Sequence, residues 1–174
     1  MIDLIQKHFP VLYEKELQEE ISENGKLTEV EAGAVIMDIG RYIKTMPLLV
    51  KGSIKVLRED DEGNELFLYY LNGGDTCAMS LTCCMEDKKS EVRAIAEEDC
   101  IIISIPVKFM DLWMKKYTSW KNFVMQTYRT RFEELLNTID SIAFLKMDER
   151  LEKYLADKQK ATNSAIIKGT HQEI

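Results

Sequence analysis

Leu48-Leu49-Val50-Lys51-Gly52-Ser53-Ile54-Lys55-Val56-Leu57 is followed by Asp60-Asp61-Glu62-Gly63-Asn64, then by Leu66-Phe67-Leu68-Tyr69-Tyr70-Leu71 and Asn72-Gly73-Gly74-Asp75. Short apolar runs are separated by clusters of Asp, Asn and Gly, residues that form turns because they bond their own backbone or tolerate positive φ. The texture extends outward over residues 26–105, with further apolar runs at 34–37, 92–96 and 100–105 and another break at Glu31-Ala32-Gly33. Runs this short with turn signals at nearly regular spacing predict an antiparallel sandwich or barrel.

After Pro106 the pattern becomes helical. Residues 107–117 read as one helix and, with Thr118-Ser119 as its cap, residues 120–145 as a second. Within the second, Met125, Tyr128, Phe132, Leu135, Ile139 and Ile142 recur at alternating steps of 3 and 4. That is a two-stranded coiled-coil seam, and it predicts a homodimer. The alternative is one face lying on the barrel; Leu136, Ala143 and Phe144 fall off the seam, so the helix can use one face for each. A further helix is expected at about 148–158, with Leu151, Tyr154 and Leu155 on one side, followed by a polar stretch at 159–164. Thr170 with Glu173 forms a capping box, so another helix is expected to start there and to belong to a longer parent chain. At the N-terminus, Ile5, Phe9, Leu12, Leu17 and Ile21 are spaced for two short helices, with Pro10 able to open the second.

The chain has 174 residues, enough for one domain with a small appendage. With 23 Lys plus Arg against 30 Asp plus Glu, its net charge of −7 makes most of the surface unsuited to nucleic acid. The last thirty residues are near charge balance and form a different kind of surface. No apolar run approaches the roughly twenty residues of a membrane span, and the N-terminus lacks the pattern of a signal peptide. A cytoplasmic protein with four reduced cysteines is expected. Catalysis is not: the two histidines, His8 and His171, lie outside the barrel, no nucleophile elbow, Walker loop or HExxH stands out, and the clusters Glu97-Glu98-Asp99 and Asp60-Asp61-Glu62 fall at turns.

Barrel, long helix and helix start, in that order, resemble the Crp/Fnr superfamily of bacterial transcription factors. Val50-Lys51-Gly52-Ser53-Ile54-Lys55-Val56 is similar to the family's strand with a central glycine, and Tyr70-Leu71-Asn72-Gly73-Gly74-Asp75 to its turn into the effector pocket. Ala143-Phe144-Leu145, with Arg150-Leu151 and Tyr154-Leu155, matches the hinge before the DNA-binding domain, and Thr170-His171-Gln172-Glu173-Ile174 the entry to the helix-turn-helix. The resemblance covers nearly the whole chain. It implies a mixed β and α fold, an antiparallel jelly-roll barrel flanked by N-terminal helices and a long C-terminal dimerisation helix. The implied domains are an effector-sensing barrel at 1–117, a dimerisation helix at 118–146 and the start of a winged helix-turn-helix at 147–174. Thr170, His171 and Gln172 would contact DNA phosphate, and an ordinary capped helix would explain them as well.

The resemblance places the effector pocket around Gly74, Asp75, Ala78, Met79, Ser80, Leu81, Thr82, Lys89, Ser90 and Arg93, with Leu135 and Leu136 on the long helix. A cyclic-nucleotide member needs a carboxylate for the ribose and an arginine beside a small hydroxyl residue for the phosphate. Here the family's Gly-Glu falls on Ala78-Met79, and its Arg-Ser on Lys89-Ser90 or Ser90-Glu91. The adenine-contacting hydroxyl positions fall on Leu135 and Leu136. Ordinary cyclic AMP binding is therefore not expected, although a shifted register would let Asp75 or Arg93 substitute. The loop offers thiols instead: Cys77, Cys83 and Cys84, with Cys100 on a following strand, are candidates for redox or soft-metal sensing, in a spacing that matches no zinc or ferredoxin signature. Small buried hydrophobes are the other reading of those cysteines. The expectation is a dimeric, effector-responsive DNA-binding regulator with an unidentified small effector, no cofactor assigned and no membrane partner. The alternative is a stand-alone thiol or metal redox sensor, or a small-ligand-binding dimeric module, without DNA binding.

Overall fold

A computed structural model describes residues 1–60, 62–84 and 89–162, the side chains of 82–84, 142 and 160–162 excepted. The expected capping box at Thr170 and Glu173 and the phosphate-contact candidates Thr170, His171 and Gln172 lie outside the described residues. In chain order the elements are α1 (Ile2–His8), α2 (Lys15–Asn24), β1 (Lys26–Val30), β2 (Val35–Met37), β3 (Thr45–Lys51), β4 (Ser53–Glu59), β5 (Glu65–Asn72), α3 (Ala78–Cys84), β6 (Arg93–Ala96), β7 (Cys100–Pro106), α4 (Phe109–Lys116), α5 (Thr118–Phe144) and α6 (Met147–Thr162). The chain divides into two units, Met1–Arg129 and Thr130–Ile174.

The first unit is a two-sheet jelly roll. One sheet has strand order β1-β7-β3 and the other β2-β6-β4-β5, and every pairing is antiparallel. The apolar run at 48–57 that opens the sequence reading is two strands, broken at Gly52 (φ +94°), where the chain leaves the three-stranded sheet for the four-stranded one. A side chain at Gly52 would put its Cβ 2.7 Å from both the Asp99 carbonyl and the Cys100 Sγ. Only glycine satisfies that close approach together with positive φ.

Strand β7 shows why its sequence is apolar throughout. Side chains alternate across a strand, so Ile103 and Ile105 enter a cluster with α1, α2, α4 and α5, while Cys100 and Ile102 face the space between the sheets. Strand β3 divides the same way, with Met46, Leu48 and Val50 toward the helices and Leu49 toward the interior. The helical cluster is closed by Trp113 and Trp120, both fully buried and meeting edge to face at 5.1 Å.

Two helix starts differ from expectation. Pro10 lies in the turn between α1 and α2, and α2 begins at Lys15. For α5, the capping acceptor comes from Glu14, whose Oε2 receives the Ser119 amide at 2.7 Å. That hydrogen bonding to Ser119 holds the Glu14 carboxyl below its ordinary range.

The second unit comprises the rest of α5 and α6. The Lys146 amide donates to Glu149 Oε2 at 2.8 Å, the reach-back half of a capping box, and Lys153 Nζ donates to the Ser141 Oγ at 2.6 Å. Helix α6 runs to Thr162, past the end expected at about residue 158 and into the polar stretch that follows. Among the described residues, no helix is long and apolar enough to cross a membrane.

Candidate functional site

Between the two sheets lies a cavity of about 310 Å³. Strand alternation builds it: Thr28 and Val30 of β1, Thr45 and Pro47 of β3, and Ile102 and Ser104 of β7 form one wall. The pairings Thr28 with Ile102 and Pro47 with Ser104 align these side chains across neighbouring strands. The opposite wall is Val35, Ile36 and Met37 of β2, Ile54 of β4, Leu71 of β5 and Ala94 of β6. Cys77, Ser80 of α3, Ser90 and Val92 close one side.

The turn after β5 holds α3 in place. The Gly74 amide donates to the Leu49 carbonyl at 2.8 Å, and the Leu49 amide to the Asp75 carbonyl at 3.0 Å. Asp75 Oδ2 accepts the Asn72 amide at 2.9 Å, and Thr76 Oγ1 donates to the Pro47 carbonyl at 2.6 Å. Gly74 and Asp75 are therefore committed to the turn. Ala78 is buried, Met79 packs against the interior cluster, and Leu81 joins the helical cluster. Thr82, Cys83 and Cys84 lie on α3, with side chains outside the description.

Of the residues expected in the pocket, Ser80 and Ser90 line this cavity. Ser90 is satisfied locally, its hydroxyl donating to the Val92 carbonyl at 2.7 Å and accepting the Val92 amide at 3.3 Å. Lys89 is exposed, its ammonium 5.6 Å from the Tyr42 ring centroid. Arg93 points into carboxylates: its Nε meets Asp38 Oδ1 at 2.9 Å, and its Nη1 meets Glu59 Oε2 at 2.9 Å and Glu65 Oε1 at 3.3 Å. Those residues come from the ends of β2, β4 and β5, so Arg93 ties four strands together. Its hydrogen bond to Asp38 raises the arginine's pKa and lowers that of the aspartate. Leu135 and Leu136 are in the second unit, both exposed.

Cys77 lines the cavity, with its Sγ 3.9 Å from the Tyr69 hydroxyl. Cys100 is buried, and burial pushes its thiol pKa up, so it is a protonated donor to the Glu98 and Ser53 carbonyls. Among the described residues no group of His, Cys, Asp and Glu is placed to hold a metal ion. On the long helix, Met125, Phe132, Leu135 and Ile139 are 55%, 61%, 55% and 51% exposed, whereas Tyr128 packs against the helical cluster of the first unit. The Ile142 side chain lies outside the description.

Most of the cavity wall is absent from the sequence-based list. Thr28, Thr45 and Ser104 are hydroxyl residues on inward strand faces, and the signal that finds them is period-2 alternation once strand and register are known.

A two-sheet jelly roll with an interior cavity and helices at both ends is the architecture of the regulatory cyclic-nucleotide-type barrels. The chain belongs to the cyclic nucleotide-binding domain family, whose model matches residues 27–117, just over half of its length. A protein of Eubacterium rectale assigned to the Crp/Fnr family of transcriptional regulators superposes with a TM-score of 0.83 at 25% identity, over 96% of this chain and 78% of that one. The c-di-GMP responsive global regulator CLP of Xanthomonas campestris gives 0.72 at 17% identity, over 87% and 75%. The catabolite activator protein of Thermus thermophilus gives 0.62 at 17%, over 78% and 63%. The last two likenesses concern the fold alone. No curated protein matches the sequence.

Proposed function

We propose that the chain is the sensing and pairing part of a Crp/Fnr-type, effector-responsive, DNA-binding transcriptional regulator, a binding protein and not an enzyme. The observation that carries this reading is the likeness to the Eubacterium rectale protein over barrel and long helix together, 96% of this chain. The sensor is residues 1–117, the pairing helix 118–146, and 147–174 lead into a DNA-binding domain. Met125, Tyr128, Phe132, Leu135, Ile139 and Ile142 form the subunit seam. The exposure of Met125, Phe132, Leu135 and Ile139 supports it, and the packing of Tyr128 makes that residue a mixed contact.

A signal in the barrel shifts the helix pair and the hinge near residues 145–148. That movement sets the spacing of two recognition helices over adjacent half-sites, with Thr170, His171 and Gln172 at the phosphate-contacting entry. Cyclic AMP in its usual pose is not the signal. The ribose carboxylate position holds Met79, and Arg93 is occupied by Asp38, Glu59 and Glu65.

Sedimentation equilibrium tests the pairing. The chain is expected to be dimeric at micromolar concentration, and Leu135→Asp to weaken the dimer at least a hundredfold, since it buries a charge in an apolar seam. A wild-type monomer at high concentration would remove the seam. For the DNA-binding part, the native reading frame is expected to bind duplex DNA with an affinity that falls steeply with salt; a reading frame without a second, basic helix would refute it.

A further inference from the structure

We propose that the cavity between the sheets takes an uncharged, largely apolar small molecule, not a nucleotide phosphate or any other anion. The proposal deepens the sensor reading above and rests on it for the role of the ligand, though not for its chemistry.

The first ground is the lining. Among the described residues, no charged side chain lines the cavity; its polar contribution is the hydroxyl residues Thr28, Thr45, Ser80, Ser90 and Ser104 and the thiol of Cys77. An ionised group moved from water into such a lining loses its hydration and gains no opposite charge from the described residues, a cost that scattered hydroxyls do not offset. A neutral ligand escapes that cost and gains from leaving water against Val30, Ile36, Ile54, Leu71, Val92 and Ile102.

The second ground is where the nearby charges have gone. Arg93 is held by three carboxylates, Lys89 lies over the Tyr42 ring and Asp75 accepts the Asn72 amide in its turn. Freeing Arg93 for a phosphate would strip Asp38, Glu59 and Glu65 of the guanidinium that all three share.

Size and polarity narrow the ligand. An apolar cavity of about 150 Å³ accepts benzene, so this one suits on the order of a dozen non-hydrogen atoms. Ser90 is bonded to Val92 in both directions, which leaves Thr28, Thr45, Ser80 and Ser104 to orient one or two hydrogen-bonding groups.

The test uses the whole chain and a panel of size-matched pairs: benzamide against benzoate, indole-3-carboxamide against indole-3-carboxylate, and cyclohexanecarboxamide against cyclohexanecarboxylate. Cyclic AMP is included as well. Binding is followed by methyl NMR shifts and calorimetry. At least one neutral member is expected to bind at millimolar or tighter affinity and to shift the Val92 and Ile102 methyls. Its carboxylate partner is expected to bind at least tenfold more weakly, and cyclic AMP not to compete. Ala94→Leu fills the cavity and is expected to abolish binding; Ser104→Leu replaces it should Ala94→Leu fail to fold. The proposal is overturned if no neutral member binds, if a carboxylate or cyclic AMP binds as well as the neutral probe, or if binding survives in the folded, filled variant. A wild-type monomer in sedimentation would remove the seam, a reading frame without a second, basic helix would refute the DNA-binding part, and either would leave these results untouched.

Discussion

Gly52 is the residue at which one apolar run becomes two strands in two sheets, and two requirements meet there. Its φ of +94° is one that side chains with a Cβ adopt at a cost, and a Cβ would sit 2.7 Å from the backbone oxygen of Asp99 and from Cys100 Sγ. The first obstacle is backbone, which does not yield as the tip of a flexible side chain would. Gly52→Ala is therefore expected to cost about 2 kcal/mol or more. Gly33 also has positive φ, at +84°, but open space around it, so Gly33→Ala pays the conformational cost alone. Urea unfolding of both variants measures the difference. Equal midpoints would show that the contacts at Gly52 relax freely.

At the scale of elements, α2 and α4 are joined through a single side chain. Glu20 accepts from Trp113 Nε1 at 2.5 Å, Lys116 Nζ at 2.6 Å and Tyr117 Oη at 2.8 Å. Trp113 is fully buried, so removing the carboxylate orphans a buried donor as well as deleting an ion pair. Glu20→Ala is expected to lose about 2–3 kcal/mol, read as a lowered urea midpoint at unchanged slope; an unchanged midpoint would mean that water replaces the carboxylate at no cost. Contacts between elements so far apart in sequence also mark the limit of what can be read from the chain alone. The jelly roll is legible because Asp, Asn and Gly punctuate apolar runs, and α5 because its apolar positions keep helical spacing over many turns. Strand β1 is not delimited in that way: Lys26, Thr28 and Glu29 make it polar, and its identity comes from pairing with β7. Helix α3 has seven residues, too few for a periodicity to stand out. The α5 cap is illegible for a third reason, since its acceptor, Glu14, is 105 residues away from Ser119. The cavity is partly legible. Ser80 and Ser90 lie in the segment that the family resemblance marks, whereas Thr28, Thr45 and Ser104 are identified only by the register that brings three strands side by side.

Over the whole molecule the ionisable groups set a stability profile with two limbs. Glu14, Glu20, Asp38 and Asp60 are held below their ordinary range, chiefly by hydrogen bonds from Ser119, Lys116, Arg93 and Asn64 respectively. A carboxyl whose folded value is depressed binds protons more tightly when unfolded. Its contribution is thus complete above the unfolded value of about 4 and is lost as pH falls through the folded one. Lys116 and Tyr117 are shifted the other way, Lys116 upward mainly by its hydrogen bond to Glu20 and Tyr117 upward mainly by burial. Raised groups contribute fully below their unfolded values, near 10, and lose that contribution as pH rises through the folded ones. Thermal midpoints are therefore expected to hold between about pH 5 and 9, to fall below about pH 4 and to fall again above about pH 10. Glu20 takes part in both limbs, as the depressed carboxyl in acid and as the group that raises Lys116 in alkali. Glu20→Gln should lower the plateau and make both limbs shallower, so that mutant and wild-type curves converge at the extremes. A mutant curve displaced in parallel at every pH would show that Glu20 acts through packing and neutral hydrogen bonding, with its charge contributing nothing.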